Sequence, residues 1–259
     1  MSARPSELFD LAGRVVVVTG ASSGLGAVFA GGFADAGARV VIAARRADRL
    51  ASLRAALESR GAEALDVPCD VSSEASIDGL VEATIRRFGR VDVLVNNAGM
   101  NLVRPALTES ASEFRSVMEV NLLGPFLCAQ RFGRVMVERR KGSIVNIASV
   151  LGLVGVGLIP QASYAATKGA MVNMTRELAA QWARLGVRVN AIAPGFFPTE
   201  MTGDMFGTED GLKFIRRRTP MGRGGDPKEL LGALFLLASD AGSYITGQVI
   251  PVDGGWTSV

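Results

Sequence analysis

Short runs of β-branched residues alternate along the chain with stretches of helical periodicity. The first run, Val15-Val16-Val17-Val18, has no polar position and is bounded by glycines, which is typical of a strand buried on both faces. Further runs occupy 40–42, 91–95, 143–147, 187–192 and 248–252, and the helical stretches between them include 50–57, 77–88 and 114–137. This alternation predicts an α/β fold in which a doubly wound parallel sheet carries helices on both faces.

Residues 195–223 interrupt the alternation, whereas the rest of the chain shows no linker and no internal repeat. We therefore expect a single domain over residues 1–259. The segment 195–223 is long, has no strand pattern and predicts a lid or substrate-binding loop with a short helix inside it. An ordinary surface excursion is the alternative. Its apolar side chains are Phe196, Phe197, Pro198, Met201, Met205 and Phe206.

The absence of histidine narrows the chemistry more than any other feature of the composition. It excludes Ser-His-Asp hydrolysis, histidine general-base catalysis and nearly every zinc site, so no metal is expected. The 28 basic and 25 acidic residues are scattered and leave a net charge of +3, so nucleic acid is not an expected partner. With 48% hydrophobic residues but no apolar run of about 18, the chain should form a globular core and not enter a membrane.

The cysteines and the amino-terminal residues bear on location. Cys69 and Cys128 are too few for a disulfide framework. Residues 1–10 lack the charged and apolar regions of a signal peptide. Both features predict a cytoplasmic location.

A glycine-rich turn follows the first strand directly. It reads Thr19-Gly20-Ala21-Ser22-Ser23-Gly24-Leu25-Gly26 and leads into an apolar, alanine-rich helix. Glycines let the backbone turn tightly and approach a pyrophosphate, whose negative charge is stabilised by the free N–H groups at the start of the helix. Strand, turn and helix in this order predict a Rossmann-like dinucleotide site. Its candidate residues are Gly20, Ser22, Ser23, Gly24, Leu25 and Gly26.

The end of the second strand indicates which dinucleotide is bound. Folds that prefer NAD place an acidic residue about 20 positions after the glycines, where it binds the ribose hydroxyls. Here the sequence is Ile42-Ala43-Ala44-Arg45-Arg46, so that Ala44 leaves room for a 2′-phosphate and Arg45 can donate hydrogen bonds to it. NADP(H) is therefore favoured over NAD(H). The alternative is that Arg45 and Arg46 are the solvated start of the next helix.

Polar residues of several later elements fall where ligands bind in open α/β sheets, at the carboxyl ends of strands or in the helices that follow. They are Asn96-Asn97-Ala98-Gly99 at the end of the run 91–95, Asn121 within a helix, Ser149 after the run 143–147, Tyr164 with Lys168, and Pro194-Gly195 after the run 187–192. In this order and spacing the chain resembles a single-domain member of the short-chain dehydrogenase/reductase family. The resemblance runs from about residue 8 to residue 256.

The tyrosine and the lysine also make chemical sense by themselves. Tyr164 and Lys168 are four positions apart, so they share a helix face and can meet the same ligand. We expect the Lys168 ammonium to lower the pKa of the phenol, so that Tyr164 exchanges a proton with the substrate oxygen while hydride moves between carbon and nicotinamide. Ser149 would hydrogen-bond that oxygen and stabilise its developing charge.

The resemblance implies further roles. Asn121 would help to hold a water that links Lys168 to solvent, Lys168 would bind the nicotinamide ribose, and Asp70 with Val71 would contact the adenine. Residues 229–238 are apolar on nearly all sides beyond the first turn, which predicts self-association. A helix that packs only on the core of its own chain is the alternative. Together with 248–252 and the helices around Phe126 and Val172, residues 229–238 resemble the surfaces of a homotetramer. Besides the residues of the glycine turn, Arg45, Asp70, Val71 and Lys168, we expect the cofactor to be bound by Asn97, Ala98, Gly99, Tyr164, Pro194, Gly195, Phe197 and Thr199.

The expected activity is hydride transfer between NADP(H) and a small-molecule secondary alcohol or ketone. An NAD-dependent sugar-alcohol or sugar-acid dehydrogenase is the alternative, because the opening segment 8–13 resembles relatives that act on sugar acids. Arg216-Arg217-Arg218 could meet an anionic substrate of that kind, or form a solvated face. A regulator that binds nicotinamide without turnover is less favoured, because Ser149, Tyr164 and Lys168 are all present.

Overall fold

A computed structural model describes residues 4–259 and contains a seven-stranded parallel sheet. Its strands are β1 (Val15–Thr19), β2 (Arg39–Ala44), β3 (Ala64–Pro68), β4 (Val93–Asn96), β5 (Gly142–Ile147), β6 (Val187–Pro194) and β7 (Val249–Val252). They lie in the order β3-β2-β1-β4-β5-β6-β7, and every neighbouring pair runs parallel. The predicted doubly wound α/β fold is confirmed. Residues 1–10 carry the prediction that no signal peptide is present, and residues 1–3 of this stretch lie outside the described residues.

Helices connect successive strands. The α-helices are α1 (Pro5–Leu8), α2 (Gly24–Asp35), α3 (Ala47–Glu58), α4 (Glu74–Phe88), α5 (Ala111–Met118), α6 (Gly124–Glu138), α7 (Ala162–Trp182), α8 (Gly203–Phe206), α9 (Glu209–Arg218) and α10 (Leu231–Ala238). Short 3-10 helices lie at Val150–Gly152, Ala183–Leu185, Pro227–Leu230, Asp240–Gly242 and Trp256–Ser258. Among residues 4–259, no helix has both the length and the apolar character that crossing a bilayer needs.

The core occupies both faces of the sheet, as the unbroken valine run of β1 requires. Val16 and Val18 belong to a cluster that includes Phe29 of α2, whereas Val15 and Val17 belong to another that includes Phe132 of α6. Successive side chains of a strand point to opposite faces, so a run with no polar position can be buried on both. All five residues of β1 are buried, which agrees with this expectation.

Strand β3 and the middle of the 114–137 stretch differ from the sequence-based expectation. Strand β3 was not among the predicted runs because it lies at the sheet edge, where Asp66 and Pro68 face partly outward. The single helix expected over 114–137 is instead α5, a π-helical turn (Glu119–Leu123) and α6 in succession. Such π turns are frequently found at functional sites, and this one contains Asn121.

Residues 195–223 contain two short helices, α8 and α9, where one was predicted. The segment is anchored by an aromatic cluster: the Phe196 ring stacks on Trp256 at 4.6 Å between centroids, and Phe214 meets both rings edge-on. The apolar stretch 229–238 begins as a 3-10 turn and continues as α10. Its Leu234 and Leu237 are buried, and Phe235 packs on the same cluster, so the core covers much of this helix.

Candidate active site

A cleft of about 440 Å³ opens at the carboxyl ends of the strands. It lies between the ends of β1 and β4, where the connection after β1 leads to one side of the sheet and the connection after β4 leads to the other, and this is the usual ligand position in such sheets. The cleft is lined by most of the predicted cofactor-binding residues: Gly20, Ser22, Ser23, Gly24, Leu25, Arg45, Asp70, Val71, Asn97, Ala98, Gly99, Tyr164, Lys168, Pro194, Gly195, Phe197 and Thr199. Ser149 lines it too, whereas Gly26 and Asn121 lie behind its wall.

The glycine turn forms a cradle that side chains would fill. A Cβ on Gly26 would lie 2.3 Å from the Gly20 carbonyl oxygen, and Gly20 and Gly24 both have positive φ angles. Helix α2 begins at Gly24, and Ser23 does not cap it with a side-chain hydrogen bond, so N–H groups of its first turn are available to a ligand. Free N–H groups, a helix amino terminus and close backbone access fit a pyrophosphate.

Thr19, which the sequence analysis did not single out, holds the two strand ends together. Its Oγ1 accepts hydrogen bonds from the backbone N–H groups of Asn97 and Ala98, each at 3.1 Å. The Asn97 side chain in turn donates to the Thr19 carbonyl oxygen at 2.9 Å. The hydroxyl at the last position of β1 is the sequence signal that could have identified it.

At the adenosine end of the cleft, the arginine that contacts the glycine turn is Arg46, whereas the sequence analysis favoured its neighbour Arg45. Arg45 is exposed and lines the cleft. The Asp70 carboxyl lines it too, and hydrogen bonds from Ser72 lower its pKa. The Arg46 guanidinium donates to Ser22 Oγ at 3.0 and 3.1 Å and to Ser23 Oγ at 2.7 Å. Arg46 also pairs with Glu200 of the 195–223 segment. The sequence analysis assigned no ligand-binding role to either residue.

At the opposite end, Tyr164 and Lys168 project from one face of α7. The Lys168 ammonium donates to the Ile147 carbonyl oxygen at 2.7 Å and lies 5.5 Å from the centroid of the Tyr164 ring. Ser149 follows β5, and its Oγ accepts the Leu151 N–H at 3.1 Å. A Cβ on Gly152 would lie 2.6 Å from the Lys168 backbone, so glycine there lets the turn after Ser149 pack against α7.

Burial decides the protonation of this end of the cleft. It raises the pKa of Tyr164, although a hydrogen bond with Ser149 acts in the lowering direction. Burial also lowers the pKa of Lys168 to about 8, because a charged amine loses its hydration. The sequence analysis expected the pKa of Tyr164 to be lowered. That expectation is wrong, because burial raises it. At neutral pH Tyr164 carries its proton, and most Lys168 side chains are still charged.

Asn121 is fully buried behind these residues. Its side chain makes two hydrogen bonds with the Met100 backbone, each at 2.8 Å, and its Nδ2 lies 3.4 Å from Thr167 Oγ1. It thereby ties the loop after β4 to the helix that carries Lys168. Met100 and Thr167 are additional residues of this region that sequence reasoning missed.

The cleft lining also includes the apolar residues Met100, Val120, Ala148 and Met201. Among residues 4–259, the only cationic side chain lining the end near Ser149 and Tyr164 is Lys168. Arg216-Arg217-Arg218 at the end of α9 are exposed and do not line the cleft.

Comparisons with known proteins agree with this geometry. A family model described as enoyl-(acyl carrier protein) reductase matches residues 20–257. The chain is 41% identical over 253 residues to gluconate 5-dehydrogenase of Gluconobacter oxydans (strain 621H), covering 97% of each chain. It is 41% identical to cis-4-hydroxycyclohexanecarboxylate dehydrogenase of Sinomonas cyclohexanicum, covering 95% of this chain and 97% of that protein.

A solved structure extends the similarity to the whole fold. It is that of a gluconate 5-dehydrogenase from Burkholderia cenocepacia J2315 in complex with NADP and tartrate. It superimposes with a TM-score of 0.95 at 37% identity and covers 99% of this chain and all of the other.

Proposed function

The chain belongs to the short-chain dehydrogenase/reductase family, and from this premise we propose that it transfers a hydride between NADP(H) and a neutral secondary alcohol or ketone. Its membership makes it an NAD(P)-dependent oxidoreductase. One observation carries the proposal. Ser149, Tyr164 and Lys168 line one end of the same cleft whose other end is the glycine turn.

We assign each residue of this end a separate task. The bound nicotinamide supplies or accepts the hydride. Tyr164, protonated at neutral pH, donates its phenolic proton to the oxygen of a ketone as that carbon is reduced, and takes it back in the oxidation direction. Ser149 hydrogen-bonds the same oxygen and stabilises its developing negative charge. Lys168 stabilises the phenolate left on Tyr164, and Asn121 positions the loop beside it.

The proposed preference for NADP rests on charge at the adenosine end. Ala44 supplies no carboxylate for the ribose hydroxyls of NAD, and the guanidinium groups of Arg45 and Arg46 lie at the same wall. The cradle of Gly20, Gly24 and Gly26 would hold the pyrophosphate. Segment 195–223, which carries Phe197 and Thr199 in the cleft wall, would act as the lid.

The neutral substrate is supported by the apolar residues of the cleft lining, Met100, Val120, Ala148 and Met201. A sugar-acid dehydrogenase remains the second candidate, because the gluconate 5-dehydrogenase of Gluconobacter oxydans is 41% identical. A carboxylate would need a cation or several donors to offset its desolvation. Within residues 4–259 the cation at the Tyr164 end of the cleft is Lys168, which already donates to the Ile147 carbonyl oxygen and is assigned to the phenolate of Tyr164.

The test is a reduction assay with NADPH. A neutral cyclic ketone and 5-keto-D-gluconate would be compared at equal concentration by the loss of NADPH absorbance. We expect kcat/KM to be at least about tenfold higher for the neutral ketone, which corresponds to roughly 1.4 kcal/mol of transition-state binding. Equal or higher kcat/KM for 5-keto-D-gluconate would favour the sugar-acid dehydrogenase instead.

We also propose that the protein is a cytoplasmic homotetramer. Cys69 and Cys128 are both free thiols, which suits a reducing compartment. Strand β7 forms one edge of the sheet, and beside the covered face of α10 Gly232 is exposed and Leu236 is half-buried. Light scattering at micromolar concentration should give four times the chain mass, and a single chain mass would contradict the assembly.

A further inference from the structure

Glu200 reaches across the adenosine end of the cleft from the 195–223 segment. Thr199, the residue before it, lies directly over the glycine turn, since its Cβ would be 3.4 Å from a Cβ on Gly24. The Glu200 carboxylate accepts hydrogen bonds from both terminal nitrogens of Arg46, each at 3.2 Å, and it also pairs with Arg49. A carboxylate thus stands among the guanidinium groups of the cleft wall.

Arg46 has few donors left for a ligand. Its Nε and Nη2 already serve Ser22 and Ser23, and its Nη1 and Nη2 both serve Glu200. A guanidinium group has five N–H donors, and most of those on Arg46 are therefore engaged within the chain. A phosphate can take charge-assisted hydrogen bonds from Arg46 most readily by replacing the Glu200 carboxylate.

We propose that Glu200 is a built-in competitor for the 2′-phosphate of NADP and that it lowers the selectivity of the cleft for NADP over NAD. The inference rests on the NADP preference proposed above, which supplies the phosphate. Glu200 occupies the guanidinium that the phosphate needs, and its own negative charge repels the phosphate. NAD carries a neutral hydroxyl at that position, so the carboxylate does not repel it and we expect little change in NAD binding.

The charge of Glu200 is present at any ordinary pH. Hydrogen bonds from Arg49, Ser23 and Arg46 lower the pKa of the Glu200 carboxyl to about 2. The side chain is 54% exposed, so solvent and salt weaken its effect on a nearby phosphate. We therefore expect a moderate change in NADP affinity, of about three- to tenfold, that decreases as salt is added.

The experiment compares Glu200→Gln with Glu209→Gln. Glu209 lies on the same segment and pairs with Lys213 within α9, and its side chain is 82% exposed, so its substitution makes the same charge change away from the arginines. Dissociation constants for NADP⁺ and NAD⁺ would be measured by isothermal titration calorimetry. Adenosine 2′,5′-bisphosphate and AMP would repeat the comparison without the nicotinamide, so that effects at the catalytic end do not enter.

Glu200→Gln should bind NADP⁺ and adenosine 2′,5′-bisphosphate about three- to tenfold more tightly, with NAD⁺ and AMP changing less than about twofold. Glu209→Gln should change none of the four. Weaker binding of the phosphorylated pair alone would show that Glu200 positions Arg46 for the phosphate, and equal changes in both pairs would show a structural role. Either result overturns the proposal.

The quantity judged is the ratio of NADP⁺ to NAD⁺ affinity in the variant divided by that ratio in the wild-type protein. A wild-type protein that binds NAD⁺ more tightly would contradict the proposed cofactor preference. It would leave the Glu200 comparison interpretable, since adenosine 2′,5′-bisphosphate reports on the same phosphate position. The two proposals can therefore fail separately.

Discussion

Tyr164→Phe is expected to lower kcat for ketone reduction by at least about 100-fold while the dissociation constant of NADPH changes less than about threefold. The substitution deletes the hydroxyl that donates the proton and removes little contact area. Positioned general acids contribute about 10²- to 10⁴-fold, and a chain without histidine has few substitutes for this one. Steady-state kinetics and calorimetric titration of NADPH would measure the two quantities.

Tyr244→Phe is the matched control, because Tyr244 is the other tyrosine of the chain and is fully exposed. It should retain wild-type kcat. A Tyr164→Phe enzyme with more than a tenth of wild-type kcat would show that another group donates the proton.

The pH profile of the wild-type enzyme gives an independent readout of the same site. Lys168, with its pKa lowered to about 8, is charged below that pH and neutral above it. Because the ammonium stabilises the phenolate formed during reduction, the rate should be level near neutrality and fall as pH rises through about 8.

Much of the fold could be predicted because its strands are buried in a simple way. A strand covered on both faces has no polar position, and a run such as 15–18 can be recognised from a few residues. Strand β3 could not be found by that rule, because an edge strand tolerates Asp66 and Pro68. The π turn around Asn121 depends on packing and leaves the apolar periodicity of the stretch nearly intact.

In the candidate site, too, some residues could be predicted from local sequence and others could not. The glycine turn and the Tyr164–Lys168 pair are local patterns, so sequence spacing was enough to propose them. The contact between Arg46 and Glu200 joins residues 154 positions apart and exists only because the 195–223 segment folds back over the glycine turn. The direction of the Tyr164 pKa shift was equally inaccessible, because it depends on how deeply α7 and the turn after β5 bury the phenol.

The arginines at the end of β2 lead to the second large expected effect. Arg46→Ala should raise the dissociation constant of NADPH about tenfold or more, with less than about a twofold change for NADH. A charge-assisted hydrogen bond is worth about 1.5 to 3 kcal/mol, and the partial exposure of Arg46 favours the lower end of that range. Calorimetric titration of both dinucleotides would measure the effect.

Arg45→Ala and Arg60→Ala separate the local cause from the loss of one positive charge. Arg60 pairs with Asp35 on the surface, so its substitution should alter neither dissociation constant.

Arg45→Ala should also weaken NADPH binding, but by less than Arg46→Ala. Ser22 and Ser23 hold the Arg46 guanidinium at the glycine turn, whereas Arg45 is exposed and must be immobilised when the phosphate binds. Removing Arg46 also frees the Glu200 charge beside the phosphate, which adds to its effect. A larger loss in Arg45→Ala, with Arg46→Ala unchanged, would assign the phosphate to Arg45 and leave Arg46 as a link between the glycine turn and the 195–223 segment.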